Sequence, residues 1–375
     1  MSERIRVLHL VESLEVGGME NGVVNIANQI DYSCFDFMIC CFSKKGDLAK
    51  RLSNQNTKVL ELNYGPGIHP EAVFSLARLF KRNKIHVVHT HGWGAKSLVG
   101  LLGAKLAGTP ICINGEHGVL YVEKWNKLLI QRIIARMFDH TLSVSEGLKI
   151  KLINRLGLNG KDITVIPNGV DTNKFHGNYP TEDLRKELNL KNSDFIVGVI
   201  GTLKEQKNQQ IVIKALSEIR QKDYNLKLLL IGDGPDEAFL QKLVTSLGIT
   251  EDVLFLGFRD DIPELLSLMD VIVLSSILDH EGMSNVILEA MASKVPVIST
   301  VSIGSKELIQ DGETGLFFRH DQPSDLADKI ILLKDNNGLR KAIITKAKKK
   351  ILKDHTIDIM VKRYEDYYRY IFQKT

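Results

Sequence analysis

Long apolar runs are scarce in this chain of 375 residues. The longest near-apolar stretch, residues 265–278, is interrupted by Asp270 and falls short of the ~20 residues that span a bilayer. Cysteine is sparse as well: Cys34, Cys40, Cys41 and Cys112 are the only four, and no two are spaced as Cys-x-x-Cys. That leaves no sign of a disulfide framework or a thiolate zinc site, and buried thiols in a reducing compartment are expected. An excess of one charge is also missing. Lys plus Arg number 49 against 45 for Asp plus Glu, a net of +4, too small to argue for nucleic acid. Glu3, Arg4 and Arg6 crowd the short apolar run at residues 7–11, unlike a signal peptide, so a cytoplasmic location is expected.

What the chain has instead is rhythm. Apolar, β-rich runs at residues 5–11, 36–42, 58–62, 85–89, 110–113, 141–144 and 163–166 alternate with helical patterns such as 71–82, 95–107 and 124–138. Most runs are unbroken, as parallel strands covered on both faces require, and the order predicts a doubly wound α/β sheet. The rhythm breaks at Pro167-Asn168-Gly169-Val170-Asp171 and a polar stretch to about Ser193. It resumes with runs at 195–200, 226–231, 253–256, 271–274, 296–299 and 315–318. Two Rossmann-like domains, residues 1–167 and 168–355, are therefore expected to face each other across a cleft, with ligands beyond the carboxyl ends of the strands. Residues 356–375 read as an aromatic helix that crosses back to the first domain.

Five segments could carry chemistry. Gly17-Gly18 precedes a helix, where backbone N–H groups and the helix dipole suit an anion; taken alone, a ligand-free turn is as good a reading. The sequence is neither G-x-G-x-x-G nor a Walker A loop. Lys207 ends a strand–loop that opens a helix, well placed to neutralise phosphate, although a solvated lysine is the default. In Asp279-His280-Glu281-Gly282-Met283-Ser284-Asn285, Ser284 is the expected helix N-cap. Glu289 is the one charge between Val286 and Ala292, which predicts a buried carboxylate in need of donors, from a ligand or from a core partner. His117, within Gly115-Glu116-His117-Gly118, points from a strand end toward the expected cleft. His89 and His91 form His-x-His at another strand end; with no acidic or thiol group joining them, polar lining is favoured over metal, and only one of the two is expected to face the site.

Two further stretches carry a membrane reading beside a plainer one. Residues 340–353 form a lysine-rich helix, read as a solvated face, with attraction to an anionic membrane left open. In residues 124–138 the apolar positions read as core, while Trp125 with flanking bases could touch lipid.

Taken together, the ordered motifs resemble the retaining nucleotide-sugar glycosyltransferases of GT-B fold, family GT4, the glycosyl transferases group 1. The most specific is Glu281 to Glu289, an E-x7-E pattern followed by Ala290-Met291-Ala292. Supporting it are Gly17-Gly18 with Glu20, His117, Val144-Ser145-Glu146, Pro167 to Asp171, Gly232-Asp233-Gly234-Pro235, Gly257-Phe258 and Gly312-Glu313-Thr314-Gly315. The resemblance implies that Glu289 takes ribose hydroxyls and that Glu281 sits beside the donor sugar, with amides of Gly282, Met283, Ser284 and Asn285 around sugar and phosphate. Lys207, Gly17 and Gly18 would hold the diphosphate, and Gly257, Phe258 and Arg259 would border the base. His117 would contact the reacting sugar, with His91, Trp93, Glu116 and Tyr121 on the acceptor side.

The implied activity is metal-independent, retaining transfer of a hexose, with a nucleotide-diphosphate sugar as co-substrate and no separate cofactor. UDP is favoured over GDP, and the acceptor is a glycan or lipid-linked saccharide in bacterial surface or exopolysaccharide synthesis. Peripheral contact with the inner face of the membrane is compatible with this; a nucleic-acid partner is not expected. Asp260-Asp261 and Asp279 do not form the Asp-x-Asp of metal-dependent transferases. Two departures stand out. Thr202 occupies a position usually basic in the family, and losing one preorganised donor typically costs ~3 kcal/mol, so Lys204 or Arg259 would have to substitute. Met283-Ser284 replaces the common Phe-Gly. The alternatives are an epimerase on the same fold and a non-catalytic partner subunit, which Thr202 would favour.

Overall fold

A computed structural model describes residues 3–15, 17–65, 67, 69–118, 125–222, 224–277 and 282–375. The chain divides into two units, Met1–Gly169 with Ile357–Thr375, and Val170–Thr356. The division thus falls after residues 169 and 356, against 167 and 355 from the sequence. Among the described residues no helix is long and apolar enough to cross a membrane.

The first unit holds seven strands: β1 (Ile5–Val11), β2 (Phe35–Cys41), β3 (Lys58–Glu61), β4 (Val87–His91), β5 (Ile111–Glu116), β6 (His140–Ser143) and β7 (Ile163–Val165). They form one parallel sheet in the order β3-β2-β1-β4-β5-β6-β7. Side chains alternate between its faces. Leu8, Leu10 and Val88 pack with the helices Ala72–Arg82 and Ala95–Ala107. Val7, Val11, Val87 and Ile113 pack on the opposite face with the helices Gly18–Gln29 and Ile357–Gln373. Cys40, Cys41 and Cys112 are buried free thiols, and burial pushes each upward, Cys40 and Cys112 to about 12 and Cys41 to about 11.

In the second unit the strands are β8 (Phe195–Ile200), β9 (Leu226–Ile231), β10 (Val253–Gly257), β11 (Val271–Leu274), β12 (Val297–Thr300) and β13 (Leu316–Phe318). Their order, β10-β9-β8-β11-β12-β13, repeats the plan of the first sheet. Val197, Val199, Leu228, Leu230 and Val273 pack against Ile213, Leu216, Leu326 and Ile330 of the helices Gln209–Arg220 and Pro323–Asp335. In each sheet the strand order reverses beside the first strand, between β1 and β4 and between β8 and β11. Loops diverge there at the carboxyl ends of the strands and leave room for a ligand.

Candidate functional site

In the second unit the loops after β8 and β11 are tied together at this reversal. Ile277 donates its N–H to the Gln206 carbonyl at 2.8 Å, and the Ser275 hydroxyl donates to the Lys207 carbonyl at 2.7 Å. Asn208, in left-handed backbone with φ 48°, turns the chain from Lys207 into the helix Gln209–Arg220. The Lys207 side chain folds back beside Gly201, whose missing Cβ would lie 3.8 Å from Cε. Partial burial and the neighbouring Lys204 bring its amine down to about 8. Thr202 and Lys204 are exposed on the same loop. The loops after β9 and β10 close against it: Gly201 donates to the Ile231 carbonyl and Gly232 to that of Gly257.

Gly257 takes φ 61° with its Cα beside the Asp233 carboxylate, and Phe258 stands 54% exposed, a free apolar surface next to the loop glycines. Arg259 is differently employed. Its guanidinium forks onto Asp261 at 2.8 and 2.6 Å and reaches Glu187 at 2.7 Å, so its charge is already matched within its own unit. Lys204, by contrast, carries no ion pair among the described residues.

The helix Asn285–Ala292 begins after the buried Gly282, Met283 and Ser284. Ser284 stands at the cap position, but its side chain does not cap. Gly304, in the helix Ile303–Leu308, packs on this turn; a Cβ there would meet the Gly282 carbonyl oxygen at 2.6 Å and Met283 Cα at 2.7 Å. Glu289 corrects the expectation of a buried carboxylate. It is half-buried with Asn285 and Val286, while Ile287, Leu288, Ala290, Met291 and Ala292 are buried, so the helix has one polar edge. Glu281 lies outside the described residues, as does Tyr121.

In the first unit Gly17 precedes the helix Gly18–Gln29 in extended backbone. A Cβ on Gly17 would run into the Glu20 carboxylate, and burial raises that carboxyl above its ordinary range. The helix start thus already holds an acidic group where the resemblance places a diphosphate. At the reversal of this sheet, His9 of β1, His89 and His91 of β4 and His117 after β5 come together. His91 Nδ1 lies 2.9 Å from His117 Nε2, and His91 Nε2 lies 3.1 Å from His9 Nδ1. Tyr368, from the helix Ile357–Gln373, sets its hydroxyl 2.7 Å from His9 Nε2 and 2.9 Å from His89 Nδ1.

His89 and His91 therefore share one face, correcting the expectation that only one would: residues two apart along a strand point the same way. The nitrogens of His9, His89 and His91 lie within 4.8 Å of one another, close enough for a metal, but the rings of His89 and His91 are stacked at 4.5 Å. Here these nitrogens engage one another and the Tyr368 hydroxyl instead. Burial keeps all four imidazoles neutral, His117 down to about 4 and the other three well below the ordinary value.

Two residues expected on the acceptor side are buried. Trp93 is buried in the core, its indole edge-on to Phe138 at 5.9 Å, because the chain turns inward after Gly92 at φ 74°. Glu116 is buried as well. One carboxylate oxygen accepts from the N–H groups of His117 and Gly118 at 3.2 and 3.1 Å, the other has no partner among the described residues, and burial lifts the carboxyl to about 7. It shapes the loop that carries His117. His9 and Tyr368 were missed as site residues. Their signal was parity: Val7-His9-Val11, Val87-His89-His91 and Ile111-Ile113-Gly115 all fall on the sheet face that the last helix covers.

Known proteins share both the fold and the sequence pattern. The family description "Glycosyltransferase Family 4" matches residues 16–174, and "Glycosyl transferases group 1" matches residues 180–350. The N-acetyl-alpha-D-glucosaminyl L-malate synthase of Bacillus anthracis is 30% identical over 304 residues, covering 78% of this chain and 77% of its own. The UDP-Gal:alpha-D-GlcNAc-diphosphoundecaprenol alpha-1,3-galactosyltransferase of Escherichia coli is 28% identical, over 80% and 79%. Among solved structures, Anabaena Alr3699/HepE in complex with UDP-glucose superposes with a TM-score of 0.83 at 23% identity, over 97% of this chain and 99% of that one. With both halves matched in order and a relative aligned across most of its length, this chain belongs to the GT-B glycosyltransferases of family 4, the glycosyl transferases group 1.

Proposed function

We propose that the chain is a retaining, metal-independent hexosyltransferase. It takes a hexose from a nucleotide-diphosphate sugar, UDP before GDP, and passes it to a hydroxyl of a glycan or lipid-linked saccharide in bacterial surface or exopolysaccharide synthesis. The observation that carries this reading is Lys207, a lysine held partly buried at the strand reversal with its amine at about 8. A cation kept there at a cost to the fold suits a diphosphate leaving group, whose growing charge it would stabilise. Further support comes from the half-buried edge of Asn285 and Glu289, which suits ribose hydroxyls, and from the donors in the names of the E. coli and Anabaena proteins. The leaving phosphate oxygen can accept the acceptor's proton, so the reaction needs no separate base. His117 would meet the reacting sugar. Lysine and amide dipoles would do the work that a metal does in other transferases.

The test is calorimetric titration of UDP-, GDP-, ADP- and dTDP-sugars, with and without EDTA, followed by transfer to saccharide acceptors with the anomeric configuration of the product read by NMR. One EDTA-insensitive donor and a product of unchanged configuration are expected. Glu289→Ala should weaken nucleotide binding roughly tenfold, as the loss of hydrogen bonds to ribose of about 1.4 kcal/mol would. Silence across the panel, or an inverted product, would overturn the reading.

A further inference from the structure

Four imidazoles and one phenol in the first unit form a single line: Tyr368 OH, His9, His91, His117, with His89 as a side branch on the same hydroxyl. A neutral imidazole has one N–H and one bare nitrogen, so each ring passes on the direction it receives. Once one proton in such a line is placed, all are placed. Two directions exist, and the Tyr368 hydroxyl, with one proton and two imidazole neighbours, chooses between them.

If the hydroxyl donates to His9 Nε2, then His9 donates from Nδ1 to His91 and His91 from Nδ1 to His117 Nε2. His117 is left with its own proton on Nδ1. His89 then donates from Nδ1 to the Tyr368 oxygen, and its Nε2 is bare. In the opposite direction the hydroxyl donates to His89 Nδ1, which forces the His89 proton onto Nε2. That nitrogen is buried and has no partner among the described residues. It faces Gly115, where a Cβ would lie 2.6 Å away, so the hydrogen that glycine carries in that direction points at it. A bare lone pair accepts a weak C–H contact there, whereas an N–H would meet another hydrogen and lose its solvation with nothing in return. The first direction is the stable one.

We propose that Tyr368, through His9 and His91, is a positioning residue that fixes the His117 proton on Nδ1, so that this ring offers an N–H donor at its open end. His117 is largely buried but not closed off, and among the described residues no hydrogen bond reaches its Nδ1. The ligand group this suits is an oxygen acceptor, the hydroxyl or ring oxygen of a sugar. This use rests on the transferase reading above; the proton arrangement does not.

The experiment is long-range 15N–1H correlation of the imidazoles in the ligand-free full chain, labelled at histidine, with His117→Gln to assign the His117 signals. Expected for His117 is a pyrrole-type shift at Nδ1 and a pyridine-type shift at Nε2, and in Tyr368→Phe a loss of that dominance toward a mixture of tautomers. His9→Leu cuts the line without altering the last helix and should give the same mixture if Tyr368→Phe fails to fold. A wild-type His117 protonated on Nε2 would overturn the proposal, as would a tautomer unmoved in the folded variants. So would stoichiometric Zn2+ uptake that shifts His9, His89 and His91 together, since these nitrogens would then be ligands. No step depends on turnover: a protein that binds no nucleotide sugar yet gives the expected spectrum would sink the transferase reading alone.

Discussion

Lys207 sits where its charge is costly to the free protein and useful to a bound diphosphate. Its amine falls from an ordinary 10.5 to about 8 through burial and Lys204. The stability this group contributes is therefore present above pH 10.5 and lost as pH falls toward 8, where the folded chain must hold a poorly solvated ammonium. Lys207→Met should raise stability at pH 7 by roughly 1–3 kcal/mol while lowering nucleotide affinity and turnover. A diphosphate would return the proton, so donor binding near pH 9 should take up close to one proton and near pH 7 almost none. Titration in buffers of different ionisation heat reads this directly; uptake unchanged in the methionine variant would place the linkage elsewhere. The histidines run the same way at lower pH. Their depressed values make stability full above pH 6.5 and lost as pH falls toward 4, since unfolding lets four imidazoles charge. Glu116, raised to about 7, opposes them, its contribution fading as pH rises from 4.5 through 7. Four against one leaves stability falling as the pH drops below 6.5. Denaturant melts from pH 7.5 to 5 should show the first unit failing first, and a flat profile would mean these imidazoles are solvated.

Elements were more legible than the residues at their ends. β1, β8, β9 and β11 coincide with apolar runs because burial on both faces favours valine, isoleucine and leucine at most positions. β4 and β5 run further than their apolar residues, through Thr90-His91 and Asn114-Gly115-Glu116. Apart from Thr90, no propensity marks those residues as strand; the ladders His91↔Gly115 and Glu116↔Ser143 hold them. The site grows from these extensions, so its geometry lay beyond what periodicity could show, although the face each residue would take was available by counting in twos. Glu289 illustrates the opposite error. An apolar sequence around one charge suggested burial all round, but a helix of eight residues can keep a single edge open. Packing between elements leads to a sharper expectation at Gly304. Its Cα rests on the Gly282–Met283 turn so closely that alanine must push the turn away. Gly304→Ala should cost ~1–3 kcal/mol through overpacking and weaken nucleotide binding with it. The His117 spectrum, which belongs to the other unit, should not move; calorimetry and the 15N experiment together check both halves of that statement.

At the scale of the molecule, the first unit is not one continuous stretch of chain. It takes residues up to Gly169 and then the final helix, Ile357–Gln373. The chain passes between the units at one place, where Val170 and Thr356 form a parallel bridge and the Val170 N–H bonds the His355 carbonyl at 2.9 Å. The last helix is a structural part of the first core. Ile357, Met360, Val361, Tyr364, Tyr367, Tyr368 and Ile371 are buried in the cluster that holds Val7, Val11, Phe35, Phe37 and Ile113. Burying a large apolar side chain contributes ~1.5–3 kcal/mol, so seven of them represent on the order of 10 kcal/mol even after allowing for a compact unfolded state. A domain's whole stability is only ~5–15 kcal/mol. Deleting residues 357–375 should therefore unfold the first unit outright. The main core of the second unit includes no residue of that helix, so it should survive. Hydrogen exchange on the shortened chain separates these outcomes: amides of β1, β2 and β4 should exchange freely while those of β8, β9 and β11 stay protected. Protection retained in β1 would mean that the sheet and its other helices close this core unaided, with the last helix needed only to bring Tyr368 to the histidines.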